Sequence, residues 1–148
     1  MVREMSREEC LALLGERFVG RLGCHADGET YVVPISYALD GERMVGQTSV
    51  GRKVEMMRAN PLVCVQVDDV KALDDWRSVI VWGEFRELSA GEKPAAARLL
   101  IDKLTVHIDE EGRSPRDVTP DPISGRYEGV VYAIVIKKMT GRAESPGA

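Results

Sequence analysis

The segment YVVPISYALDGERMVGQT, residues 31–48, contains two runs of apolar and β-branched residues separated by a turn signal. An Asp-Gly pair between two such runs is a strong signal for a tight β-hairpin, and Asp40-Gly41 occupies that position. Residues 30–39 and 43–48 are therefore predicted to form neighbouring antiparallel strands.

Pro34 interrupts the first of these two runs. Proline has no N–H group to donate to a strand ladder, so within sheets it occurs at edges or bulges. Two interpretations stay open at this point. Either the strand lies at an edge of the sheet, or the sheet opens there and leaves backbone groups of Val33, Ile35 and Ser36 free to meet a flat ligand with amide-like edges.

The sequence on both sides continues this strand-rich pattern. Further strands are predicted where apolar and β-branched residues recur, at residues 17–25, 62–67, 78–88 and 130–138. Asp68 and Asp69 are predicted to end the second of these strands, and Gly83 to bend the third. Six strands with two or three helices, joined mostly by short turns, favour an antiparallel barrel over a parallel α/β sheet.

Helical patterns occur at three places in the chain, residues 6–15, 51–59 and 91–104. The first begins with a capping box, in which Ser6 is followed three residues later by Glu9. The chain is predicted to form one domain over residues 1–142 with a disordered tail at 143–148, and the loss of order is predicted to begin at Thr140. Residues 105–129 form a charged, proline-containing segment, and irregular segments of that length are usually functional or mobile.

The composition excludes several classes of protein. A formal charge of −4 lacks the basic excess of a nucleic-acid binder. No apolar run reaches the roughly 18 residues of a membrane span, and the charged start MVREMSREEC does not resemble a signal peptide, so a cytoplasmic protein without membrane contact is predicted. Three cysteines without a CxxC pair predict neither a disulfide framework nor a zinc site, and no metal is predicted.

The residues that usually carry catalysis are sparse. His25 and His107 are the only histidines, they lie in separate segments, and both are predicted to be surface residues. Neither a GxGxxG nor a GxxxxGK[ST] motif occurs, so the usual dinucleotide and P-loop sites have no support. The sequence assigns no catalytic residue.

A predicted helix near the centre of the chain begins with two cations, Arg52 and Lys53. A cation in the first turn faces the positive end of the helix dipole, which disfavours it by about 0.3–1 kcal/mol. An anion bound there would reverse the sign, and free N–H groups with the hydroxyls of Thr48 and Ser49 are what a phosphate needs. Ser49 is the predicted N-cap. The alternative is two solvated cations on an exposed turn.

The predicted hairpin brings the Pro34 strand close to this cationic helix. A phosphate at one end of a site and a planar ring with polar edges at the other describe flavin mononucleotide, FMN. The order of three blocks then becomes informative: YVVPISYALDGERMVGQTSVGRKVEMMRANPLVCVQVDD, WRSVIVWGEFREL and VVYAIVIKKMTGR. Together they resemble the pyridoxamine 5′-phosphate oxidase-like superfamily of FMN-binding split barrels, in particular its nitroimidazole-reductase-type branch, over about residues 4–142.

The resemblance implies a mainly β fold, a six-stranded antiparallel Greek-key split barrel of the FMN-binding type with flanking helices. It also implies a homodimer with two FMN sites at the subunit interface. By position, Arg52 and Lys53 would hold the phosphate with Thr48 and Ser49. The residues implied along the flavin ring are Val33, Pro34, Ile35 and Ser36, with Ser78 as a further polar contact. Trp76 and Trp82 would shield the ring or pack in the core or dimer interface.

Two departures from the family pattern limit the chemistry that the resemblance implies. Gln47 stands where the nitroimidazole-reductase-type branch often has a histidine, and glutamine is not a general acid or base at neutral pH, although it can hydrogen-bond a flavin. The C-terminal sequence MTGRAESPGA lacks the basic set with which pyridoxamine phosphate oxidases bind substrate. Oxidation of vitamin B6 is therefore not predicted.

Three hypotheses for the function remain. The first is an FMN-dependent oxidoreductase that takes electrons from a nicotinamide or another small donor and reduces a small acceptor, nitro-aromatic or quinone-like. The second is a flavin-binding protein without turnover, a carrier or a sensor. The third is a split barrel that uses a deazaflavin coenzyme or haem, for which His25 and His107 are the obvious axial ligands.

Overall fold

A computed structural model describes residues 1–106 and 129–147 of the chain. Within these residues it contains three helices and one sheet of eight strands. The helices are α1 Arg7–Glu16, α2 Arg52–Ala59 and α3 Lys93–Thr105. The strands are β1 Val2–Glu4, β2 Val19–Ala26, β3 Glu29–Ser36, β4 Ala38–Asp40, β5 Arg43–Thr48, β6 Leu62–Ala72, β7 Asp75–Glu87 and β8 Val130–Glu144.

The strands form an antiparallel sheet in the order β3-β2-β6-β7-β8-β5-β4, and β1 pairs with the end of β8. The two strands at the ends of this order, β3 and β4, are joined by the single residue Tyr37. The sheet therefore curls until its two edges meet at one corner, which gives a split barrel. The predicted mainly β split barrel is confirmed, with eight strands where six were predicted.

The corner at Tyr37 divides what the sequence predicts as one strand over residues 30–39. The N–H group of Tyr37 donates to the carbonyl of Phe18 at 2.9 Å, and its buried hydroxyl donates to the carbonyl of Leu14 at 2.7 Å. These bonds hold the residue between α1 and the start of β2, so the chain leaves one edge of the sheet and continues on the other. The prediction of a single strand was wrong because both contacts are distant in sequence.

Pro34 lies on an edge strand. Through the residues that the structure describes, β3 pairs only with β2, and Pro34 lies opposite Arg21. The missing N–H group of proline therefore removes no bond from an interior ladder. The edge interpretation of Pro34 is confirmed.

Two local turn predictions are confirmed. Asp40 pairs with Arg43 across a tight turn, in which Gly41 adopts a positive φ of 62°. Gly83 lies at a register shift in the β7–β8 pair. A Cβ atom at Gly83 would lie 2.6 Å from Cγ2 of Ile134 and 2.8 Å from the carbonyl oxygen of Val135, so the neighbouring strand comes too close for a side chain at this position.

Two strands are longer than predicted, because cross-strand partners satisfy their polar ends. Asp69 was predicted to help end a strand, but Arg77 lies opposite it in β7 and donates to its carboxylate at 2.8 Å. β8 continues to Glu144, whose carboxylate accepts from Trp76 Nε1 at 3.3 Å. The prediction of disorder from Thr140 onward was wrong for residues 140–144, which belong to β8. Most of the segment 105–129, including His107, lies outside the described residues.

The core fills the barrel and continues beneath the helices. The capping box of α1 is confirmed: the N–H group of Glu9 donates to Ser6 Oγ at 3.1 Å, and that of Ser6 to Glu9 Oε1 at 3.0 Å. The helix packs Leu13 and Leu14 into the main apolar cluster, while α3 covers a second cluster through Leu100. Each helix in the described part of the chain is too short or too polar to cross a lipid bilayer.

Gly46→Ala is expected to lower the free energy of unfolding by about 1–3 kcal/mol, the usual cost of overpacking a core. A Cβ atom at this buried position would lie 2.6 Å from the phenol ring of Tyr132 in the neighbouring strand. Urea denaturation followed by circular dichroism measures the change. Gly23→Ala is the control, because its new Cβ atom would find its nearest neighbour at 3.7 Å. Equal midpoints for the two variants would contradict this packing.

Candidate functional site

The junction between β5 and α2 joins the barrel to the cationic helix. Thr48 ends β5 with a buried side chain, Ser49 is exposed, and α2 begins at Arg52 after the N-cap Gly51. The prediction of Ser49 as N-cap was wrong. Within the described residues no side chain caps this helix, so the N–H groups of its first turn and the positive end of its dipole are not balanced by a capping oxygen.

Gly129, which precedes β8, presses against this junction. It has a positive φ of 97°, and a Cβ atom there would lie 2.4 Å from the carbonyl oxygen of Thr48. Only glycine tolerates both the backbone conformation and the close approach. Sequence reasoning missed this residue, because its partner lies about 80 positions earlier in the chain. A glycine directly before a strand was the available signal.

Lys53 is half-buried behind the helix start. Burial lowers the pKa of its amine below the ordinary value, and the nearby Cys24 acts in the opposite direction. Cys24 is itself buried, 4.0 Å from the sulfur of Met56, and burial raises the pKa of its thiol. A partly desolvated ammonium group gains more from an anionic ligand than a fully hydrated one, because less water screens the attraction.

Arg52 points toward β3 instead. One of its guanidinium nitrogens lies 2.5 Å from Oε1 of Glu29, and its guanidinium carbon lies 5.4 Å from the centre of the Tyr31 ring. Arg52, Glu29 and Glu55 border a groove of about 200 Å³ between α2 and the β2–β3 turn. Sequence reasoning missed Glu29 and Tyr31, since a single charge and a single aromatic residue have no diagnostic spacing.

The predicted ring-contact residues of β3 lie on both faces of the strand. Val33 is half-buried and Ile35 fully buried, and both pack with the core, whereas Pro34 is exposed on the opposite face. Ser36 is fully buried at the end of the strand. Because side chains alternate along a strand, only part of this run can present side chains to one ligand, and contact of its backbone groups with a flavin edge stays a prediction.

Three buried polar side chains cluster near the β5–α2 junction. They are the only buried polar or charged residues in the part of the chain that the structure describes: Ser36, Gln47 and Thr48. β3 and β5 contact each other, and the β4–β5 pairing, extended by two residues, would place Ser36 opposite Gln47. Burying a polar group is costly unless it is hydrogen-bonded, so three such groups at one end of the barrel make that end a candidate site for a polar ligand.

Ser78 lies far from this junction within one chain. Its hydroxyl accepts from Gln66 Nε2 at 3.0 Å, and it borders a groove of about 210 Å³ together with Trp76 and Arg142. The β5–α2 junction lies instead near the Glu87 end of β7, roughly 30 Å further along that strand. The structure therefore does not bring Ser78 together with the other predicted residues in a single chain.

The outer face of the sheet carries an exposed apolar patch. Val32, Leu62 and Trp82 are 63%, 64% and 38% exposed, and with Cys64 they border an open cavity of about 570 Å³. Lys138 lies 4.9 Å above the Trp82 ring. Large side chains grouped in this way on a surface mark an interaction site more often than chance exposure.

His25 stands at the rim of the same cavity. The residue is exposed, as predicted, and its Nδ1 atom lies 3.0 Å from Oγ1 of Thr30. Among the residues that the structure describes, no three His, Cys, Asp or Glu side chains come together as a metal site.

Comparisons with known proteins place the chain in a family. Residues 6–143 match the family described as pyridoxamine 5′-phosphate oxidase. An uncharacterized protein of Rhizobium meliloti strain 1021 is 34% identical over 150 residues, covering 99% of this chain and 97% of that protein. The crystal structure of an FAD-binding protein from Mesorhizobium loti is also 34% identical, with a TM-score of 0.79 and coverage of 99% and 98%.

A more distant solved structure has the same fold. It is a candidate 5-nitroimidazole antibiotic resistance protein from Bacteroides thetaiotaomicron, 18% identical, with a TM-score of 0.67 and coverage of 96% of this chain and 87% of that one. The family match spans nearly all the described strands and all three helices. The resemblance of the three sequence blocks is thus confirmed, and the chain belongs to the pyridoxamine 5′-phosphate oxidase family of split barrels.

Proposed function

We propose that this protein is an FMN-dependent oxidoreductase that reduces a small nitro-aromatic or quinone-like acceptor. The observation that carries the proposal is the β5–α2 junction, where an uncapped helix start, the half-buried Lys53 and the hydroxyls of Thr48 and Ser49 come together. Bound flavin supplies the transfer of two electrons from a donor to an acceptor. The chain supplies the binding and the orientation.

The donors at this junction fit a phosphate monoester. Backbone N–H groups at a helix start, an ammonium group and hydroxyls are the groups that bind phosphate in proteins. The buried amide of Gln47 and hydroxyl of Ser36 lie next to them and fit the polar edge of a planar ring. This proximity supports a ligand with an anionic end and a flat polar end.

Among the residues that the structure describes, few side chains at this end of the barrel can transfer protons. Gln47 donates and accepts hydrogen bonds but does not exchange protons at neutral pH. We therefore assign it the role of holding and polarising the ring edge, with protons exchanged with solvent or the acceptor. The second candidate function, a flavin carrier or sensor without turnover, is favoured by this same residue.

We further propose that the protein works as a homodimer with its two sites at the subunit interface. The exposed apolar patch of Val32, Leu62 and Trp82 supports burial against a second copy. The distance of Ser78 from the β5–α2 junction supports the same arrangement, because a second copy can bring its own Ser78 to a site that one chain cannot complete. Trp76, which lines the same groove as Ser78, would arrive with it.

The cofactor is tested by titrating the purified protein with FMN, FAD, riboflavin, a deazaflavin coenzyme and haem. We expect FMN to bind with the highest affinity and with a change in flavin fluorescence, because its phosphate is terminal and reaches the helix start. Tighter binding of FAD than of FMN would support a flavin cofactor but show that FMN is the wrong one. FAD is a direct alternative because the Mesorhizobium loti relative is described as FAD-binding. Binding of deazaflavin or haem alone would contradict the proposal.

Turnover is tested by the oxidation of NADH and NADPH with quinone and nitro-aromatic acceptors, using protein fully loaded with FMN. Acceptor-dependent oxidation is expected for the oxidoreductase. If the protein is fully loaded with FMN but oxidises neither NADH nor NADPH with any acceptor tried, the result supports the carrier or sensor function instead.

A further inference from the structure

The two cations that open α2 have different surroundings. Arg52 pairs with Glu29 at 2.5 Å and lies over the Tyr31 ring, so its charge is already balanced by β3. Lys53 is half-buried beside Cys24, and no carboxylate pairs with it among the described residues. At the helix start, Lys53 therefore carries the uncompensated positive charge.

Glu29 and Arg52 are brought together by tertiary structure. Glu29 begins β3 directly after the β2–β3 turn, and α2 packs against β2, which places its first turn beside that turn. The groove between them is bordered by three carboxylates, those of Asp27, Glu29 and Glu55, and by Arg52. Among the described residues, only Glu29 forms an ion pair with Arg52.

We propose that Glu29 competes with the phosphate of the cofactor for Arg52 and thereby regulates the affinity of the site. This inference rests on the proposed function. The Glu29 and Arg52 side chains are 59% and 53% exposed, so water screens their attraction and the pair separates readily. A phosphate monoester carries a charge of about −1.5 to −2 at neutral pH, compared with −1 for a carboxylate, and it accepts more hydrogen bonds.

The competition has a predictable sign. In the free protein Glu29 holds Arg52 over Tyr31, and a bound phosphate must displace that carboxylate to gain the guanidinium. Removing the negative charge of Glu29 abolishes this competition and leaves the Arg52 guanidinium available to the phosphate. The affinity for FMN should therefore rise, whereas the affinity for riboflavin, which has no phosphate, should not.

The test compares Glu29→Gln with the wild-type protein by titration with FMN and with riboflavin. We expect the FMN dissociation constant to fall about 3- to 10-fold, with that of riboflavin unchanged within twofold. Glu55→Gln is the matched control, because it removes a carboxylate from the same groove that is not paired with Arg52. The double variant Arg52→Ala/Glu29→Gln should show no gain over Arg52→Ala alone, since the effect passes through Arg52.

Three results would overturn the inference while leaving the proposed function intact. They are an unchanged or lower FMN affinity in Glu29→Gln, an equal gain for riboflavin, and an equal gain in Glu55→Gln. A wild-type protein that binds neither FMN nor riboflavin would overturn the proposed function, and the inference with it.

Discussion

Lys53→Ala is expected to weaken FMN binding roughly 30-fold, or about 2 kcal/mol, the typical value of a hydrogen bond to a charged group. Among the described residues no carboxylate pairs with the half-buried ammonium of Lys53, and alanine leaves the phosphate there with N–H groups, hydroxyls and the Glu29-paired Arg52. Fluorescence titration with FMN measures the loss. The affinity for riboflavin should change less than twofold.

Arg52→Ala and the double variant Lys53→Ala/Arg52→Ala test how much each of the two cations contributes to phosphate binding. Arg52→Ala should reduce FMN affinity less than Lys53→Ala, because Arg52 is paired with Glu29 before the ligand arrives. The double variant should bind FMN very weakly and still fold, since both side chains lie outside the buried core. If Lys53→Ala retained FMN affinity within about twofold, or about 0.5 kcal/mol, the phosphate would not bind at this helix.

The local features of the fold could be predicted from the sequence. The capping box at Ser6 and the turn at Gly41 each follow from the conformational needs of a few adjacent residues. The edge position of Pro34 follows from its missing donor. In each case the physical cause lies within a few adjacent residues, so a short stretch of sequence is enough to predict the feature.

The features that depend on distant partners could not be predicted. Tyr37 ends one strand and starts another because the Leu14 and Phe18 carbonyls accept its donors. The strand at Asp69 continues because Arg77 lies opposite, and a charge pattern alone cannot state which register a hairpin adopts. At these positions the sequence pattern predicts that a strand is present but not the residue at which it ends.

The candidate site divides in the same way. Thr48, Ser49, Arg52 and Lys53 lie within six positions, so the sequence could group them. The ion pair of Arg52 with Glu29 and the separation of Ser78 both arise from the sheet order, which no single segment contains. The run from Val33 to Ser36 fell on two faces of β3, because a contiguous motif in a strand always alternates.

Leu62→Lys is expected to convert the proposed dimer to monomers at micromolar concentration, with an increase of at least about 100-fold in the dimer dissociation constant. Leu62 lies in the exposed apolar patch, where a buried ammonium group would lose its hydration against apolar side chains. In a two-fold symmetric dimer the same patch occurs on both copies, so one substitution acts twice. Light scattering over a range of concentrations measures the change.

The choice of lysine at position 62 protects the fold of the monomer. Leu62 lies opposite Glu84 in the neighbouring strand, so the new ammonium group gains a cross-strand partner of opposite charge while the chain is alone. Leu62→Met is the matched control, because it keeps the volume and the apolar character, and it should remain dimeric. A change in the thermal unfolding of the monomer would show that the variant acts on the fold instead.

The same variant tests whether a second copy completes the cofactor site. If Ser78 and Trp76 reach the β5–α2 junction only from another copy, the Leu62→Lys monomer should bind FMN at least tenfold more weakly, although it lacks none of the residues of the junction. By linkage, added FMN should then draw the wild-type protein toward the dimer. A Leu62→Lys monomer that binds FMN as tightly as the wild-type protein would place the whole site within one chain, and a Leu62→Lys protein that stays dimeric would place the interface on another face.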